Sequence, residues 1–160
     1  MTIVAYRNGI MAADGACWIN DSQITRMQKI YRLKGGLVGM AGDVEVISQF
    51  IEWLKDGADE DEFPLGNYES IVVNPSGRVT LFEGGSYCPV PLRAQYAAIG
   101  AGIDYALGAM FAGADARLAV KAAIAYNAKC RGPISVFHLR TPSSEKRRMS
   151  SHDLQDHPVL

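Results

Sequence analysis

Strands come in runs in this 160-residue sequence and helices come in groups, an order that excludes a doubly wound parallel sheet. Two apolar runs, Thr2–Arg7 and Ile10–Asp14, flank Asn8-Gly9, a dipeptide suited to a two-residue hairpin because both turn positions need positive φ. A second hairpin is expected from Met27–Leu33 and Leu37–Ala41 around Lys34-Gly35-Gly36. Asp43 then offers an N-cap, and Val44, Ile47, Phe50, Ile51 and Leu54 repeat at helical spacing until Gly57. That helix carries one apolar stripe, so it should lie on a sheet with its other face wet.

Further strands are predicted at Tyr68–Asn74, Arg78–Glu83 and Tyr96–Ile99, with an irregular stretch near Pro89 and Pro91. Two Ala-rich helices follow, Ile103–Ala112 and Asp115–Ala128, then a last strand, Ile134–Leu139. The order ββββ, α, ββ(β), αα, β suits two antiparallel sheets packed face to face with helices on both outer sides. Residues 1–140 are read as one domain, and the polar, Pro-bounded stretch 141–160 as a flexible tail.

Composition narrows the function. A net charge of −1 argues against nucleic acid or an anionic membrane surface as the main partner. No apolar run reaches membrane-spanning length and no signal-peptide pattern opens the chain, so a cytoplasmic protein is expected. Cys17, Cys88 and Cys130 are odd in number and lack ligand spacing, so they read as free thiols with no metal site and no cofactor implied. His138, His152 and His157 come late, two of them in the polar tail, which disfavours a His-dependent hydrolase. The five acids in the seven residues Asp56–Glu62 read as a solvated loop.

Thr2, directly behind Met1, is the residue with most chemical potential. Once Met1 is trimmed, Thr2 would carry a hydroxyl nucleophile and a free α-amine, whose ordinary pKa of about 7.7–8 lets it take the hydroxyl proton. Four other features accompany it: Asp14 after Ala12-Ala13, Lys29 in Met27-Gln28-Lys29-Ile30, Gly39-Met40-Ala41-Gly42-Asp43 before the first helix, and Gly100-Ala101-Gly102 before the second.

With these motifs in this order the chain resembles the β subunits of the proteasome. It resembles more closely the bacterial heat-shock protease subunit HslV and its proteasome-like bacterial and phage-encoded relatives. The similarity runs from Thr2 to about Leu139 and includes Gly132-Pro133-Ile134-Ser135-Val136. It implies an α+β, four-layer αββα sandwich of two antiparallel sheets, the N-terminal-nucleophile hydrolase fold. It further implies a threonine-type endopeptidase in a homo-oligomeric double ring, acting on polypeptide substrates with an ATPase unfoldase as partner. Thr2 would be the nucleophile, Lys29 the ammonium beside it, Asp14 the partner of Lys29, and Gly39 the oxyanion donor. Leu37 and Ala41 would face the substrate pocket. Ala101, Asn127 and Cys130 fall where the family has serine, aspartate and serine. They define a supporting shell altered from the family pattern, and the first hairpin is several residues shorter than in HslV. A ring-forming scaffold without turnover and a small-amide hydrolase with the same nucleophile are the alternatives.

Overall fold

The computed structural model describes residues 2–19 and 22–140. Eleven strands and three α-helices follow in chain order: β1 (Ile3–Arg7), β2 (Ile10–Ala13), β3 (Ala16–Ile19), β4 (Ser22–Arg26), β5 (Ile30–Leu33), β6 (Gly36–Gly42), α1 (Val44–Asp56), β7 (Tyr68–Val73), β8 (Val79–Glu83), β9 (Val90–Leu92), β10 (Tyr96–Gly100), α2 (Ile103–Phe111), α3 (Ala116–Tyr126) and β11 (Ser135–His138). They form a four-stranded antiparallel sheet ordered β10-β1-β2-β11, a five-stranded one ordered β5-β6-β7-β8-β9, and the separate β3-β4 hairpin.

The central hairpin forms as its turn chemistry requires. Asn8 (φ 49°) and Gly9 (φ 81°) both adopt positive φ, and the pairing of β1 with β2 runs outward from Arg7↔Ile10 to Val4↔Ala13. Tyr6 Oη accepts the Gly9 N–H at 3.1 Å, bracing the turn. β10 pairs along the free edge of β1, and β11 along that of β2.

β1 is buried on both faces, which is why it reads as a continuous apolar run. Val4 and Tyr6 face the gap between the sheets with Met11, Ile30, Leu37 and Ile71. Ile3 and Ala5 face outward, under Ala106, Met110, Ala119 and Val120 of α2 and α3. On the far side, Val38 and Met40 of β6 meet Ile47, Phe50 and Trp53 of α1. The layers are thus helices, sheet, sheet, helix. Alanines on the outer face of β1 and β2 let α2 and α3 approach closely, and Arg7 Nη1 donates to the carbonyls of Met110 and Ala114, both at 2.6 Å, where α2 ends.

Several expected boundaries move. The β3-β4 hairpin is an addition, because Ala16–Arg26 lacks a clean apolar alternation. β5 begins at Ile30, so Lys29 precedes the strand instead of lying at its centre, although its carbonyl still accepts the Met40 N–H at 2.9 Å. The turn before β6 is Lys34-Gly35 alone (φ 47° and 80°), with Gly36 paired to Leu33. The stretch near Pro89 and Pro91 contributes edge strand β9, a position where proline costs no ladder bond. Asp43 precedes α1 as expected but makes no side-chain capping bond, while Gly57 ends the helix in the left-handed region. The acidic stretch holds a single 3₁₀ turn, Glu60–Glu62, with the Asp59 side chain accepting from the Asp61 N–H. The tail expected at 141–160 lies outside the described residues.

Candidate active site

Both sheets open at the end where β1 starts and β6 stops. Thr2 sits there, 5% exposed, lining a cleft of about 820 Å³ with Ala41, Gly42, Gly100 and Ala101. Asp14 follows β2 directly and is fully buried; Lys29 is 1% exposed. Lys29 Nζ donates to Asp14 Oδ1 at 2.7 Å, and the same oxygen accepts the Ile3 N–H at 3.0 Å. Asp14 Oδ2 accepts the Arg131 N–H at 3.0 Å. The carboxylate therefore ties together the residue after Thr2, the buried ammonium and the segment entering β11. Met1 lies outside the described residues.

Gly39 is not part of this cluster. Asp43 N–H donates to the Asn67 carbonyl at 3.0 Å, so by antiparallel alternation the Gly39 amide also points toward β7. A Cβ on Gly39 would come within 2.6 Å of Val4 Cγ1 and 2.9 Å of Met11 Sδ, so the glycine serves packing between the sheets. The same alternation turns the Gly42 amide toward the β5 side, beyond the start of β5 and beside the cleft. Gly42 has φ 133° and lines the cleft with Thr2. Leu37 is likewise in the inter-sheet core and not in the cleft, whereas Ala41 lines it.

The altered shell is internally consistent. Asn127 Nδ2 donates to the Ala101 carbonyl at 2.6 Å and its Oδ1 accepts the Lys129 N–H at 2.9 Å. An aspartate could not make the first of these bonds, having no proton to give. Ala101 is exposed in the cleft wall. Cys130 is fully buried, and burial first, then the Asp14 carboxylate, pushes its thiol up to about 11. It is a packing group beneath Gly102, where an added Cβ would lie 2.9 Å from its sulfur.

Glu69 and Trp18, which the sequence did not single out, complete the cleft with Gly100. Glu69 Oε2 accepts the Gly100 N–H at 2.7 Å, joining the two sheets beside Thr2. Gly100 (φ 95°) has no room for a side chain, since a Cβ would run into the Thr2 carbonyl. Trp18 lines the cleft, stacked under the Arg131 guanidinium at 5.9 Å, and its buried Nε1 has no partner among the described residues. Among the described residues no group of three or more His, Cys, Asp or Glu could hold a metal ion, and no helix is long and apolar enough to cross a membrane.

Among solved structures the chain is similar to Thiobacillus denitrificans BPH in complex with epoxomicin, with TM-score 0.62 and 20% identity over 88% of this chain and 100% of that one. Eukaryotic HslV from Trypanosoma brucei gives TM-score 0.65 and 16% identity over 85% of this chain and 97% of that one. The chain has their fold. This proteasome-type, N-terminal-nucleophile hydrolase sandwich is the one expected from the resemblance, with its sheets and helices in the expected layers. Thiobacillus denitrificans BPH also matches without the inhibitor, at TM-score 0.60 and 20% identity over 87% of this chain and 98% of that one. No family model and no curated protein matches the sequence.

Proposed function

We propose that the chain is a threonine-type peptidase of the proteasome and HslV kind, with Thr2 as nucleophile after removal of Met1. The observation that carries this reading is the shared Asp14 oxygen, which holds Lys29 Nζ and the Ile3 N–H together next to Thr2. Thr2 Oγ1 attacks the scissile carbonyl and its proton passes to the α-amine. The Lys29 ammonium lowers the cost of negative charge on the attacking oxygen. Gly42, not Gly39, supplies the N–H for the tetrahedral oxyanion, because its amide faces the cleft. The amine then returns the proton to the leaving amide nitrogen, and water hydrolyses the ester.

A peptide epoxyketone tests this directly. Intact mass establishes that Met1 is absent, and the reagent is expected to add to Thr2 of that processed chain. Labelling of Cys130, or no adduct on a chain lacking Met1, defeats the mechanism. A scaffold without turnover is the second reading, favoured by the methyl group of Ala101 where the family has a hydroxyl. The ring, polypeptide substrates, an ATPase partner and a cytoplasmic setting belong to the same proposal.

A further inference from the structure

We propose that Glu69 and Glu83 form a cation subsite beside Thr2 that takes a lysine or arginine side chain of a polypeptide substrate. This rests on the peptidase reading. The strand pattern places the two acids: Ile71 and Val73 of β7 and Val79 and Leu81 of β8 face the other sheet, and the two-residue period continues to Glu69 and Glu83. Carboxylates therefore occupy the mouth of the gap, where the apolar stripe would otherwise run on.

Glu69 and Glu83 are also direct cross-strand partners. The neighbouring pair carries the Gly84 N–H to Tyr68 carbonyl bond at 3.0 Å, so Glu69 and Glu83 occupy a non-hydrogen-bonded position. Side chains come closest there, with Cβ atoms roughly 4.5–5.5 Å apart, and like charges so placed are destabilising. Glu69 has given Oε2 to Gly100, and no cationic side chain pairs with either acid among the described residues. The Thr2 cleft also carries Asp43 and Glu45, and neither Lys nor Arg lines it.

Two further observations identify the occupant. A second cavity of about 300 Å³ shares both glutamates, and its wall is largely apolar, with Leu81, Val90, Ile99 and Ile103 beside Ser86 and Cys88. Apolar walls leading to paired carboxylates complement a long aliphatic stem with a cationic head. Thr2, 5% exposed in the same cleft, has no side-chain hydrogen-bond partner among the described residues, so its hydroxyl is open to a group bound beside the two carboxylates.

The test uses the full chain with Thr2→Ala, so that binding is read without turnover, and fluorescent peptides differing only in arginine or its neutral isostere citrulline. The arginine peptide is expected to bind about tenfold more tightly at low salt, with the preference shrinking as salt rises. Glu69→Gln keeps an acceptor for Gly100, and Glu83→Gln relieves the repulsion and should raise Tm; both are expected to erase the preference. Equal affinities, no binding of either peptide, or a preference surviving the double substitution overturns the proposal. Failure of epoxyketone labelling on the unmutated chain would instead defeat the peptidase reading and leave this binding result standing.

Discussion

Lys29 and Asp14 meet at 2.7 Å with both side chains closed to solvent, and Asp14 also accepts two backbone amides, those of Ile3 and Arg131. Such a pair is costly to break from one side, because the charge left behind has no water to solvate it.

Lys29→Ala is accordingly expected to destabilise the fold by about 3–5 kcal/mol. Turnover should also fall on the order of 10²-fold or more, the scale of losing a preorganised charge. Urea unfolding and peptide hydrolysis at a temperature where the variant stays folded separate the two effects. Full activity in a folded Lys29→Ala chain would remove Lys29 from the chemistry.

Cys130 should be chemically silent in the native protein. With its thiol held up to about 11 against an ordinary 9.0, it stays protonated where an unfolded cysteine ionises. The unfolded state therefore binds fewer protons between those values, and this group's contribution to stability falls as pH rises from about 9 to about 11. Native thiol titration is expected to modify exposed Cys88 first and to reach Cys130 only on unfolding.

Ala101→Ser should raise kcat by about fivefold, the rate equivalent of one hydrogen bond worth about 1 kcal/mol. The new hydroxyl would lie in the cleft wall near Thr2, within the loop that Glu69 and Asn127 already hold. Unchanged steady-state kinetics would show that this position is uncoupled from the reaction.

Assembly should cover the outer face of α2 and α3. Phe111 is 84% exposed and Tyr126 75%, with Tyr105 stacked on Tyr126 at 6.1 Å. A closed ring of about twelve or fourteen subunits would bury such surfaces. Mass photometry showing only the 17.4 kDa monomer at micromolar concentration would exclude the chambered form.

Local chemistry made much of this architecture readable from the residues. Asn8-Gly9 specifies its own turn through φ, and the repeat of Ile47, Phe50, Ile51 and Leu54 specifies its own helix through spacing, although Val44, read into the same stripe, is exposed and Trp53, left out of it, is buried. Thr2, Asp14 and Lys29 could be picked out by residue type and order. Gly39 and Gly42 could not be told apart that way, because the difference is the direction of an amide along β6, fixed by pairing with β7 some thirty residues later. Leu37 fell to the core for the same reason: strand register chooses the face. The bonds from Arg131 to Asp14, from Gly100 to Glu69 and from Asn127 to Ala101 join distant segments, and only the tertiary packing brings those groups within hydrogen-bonding distance.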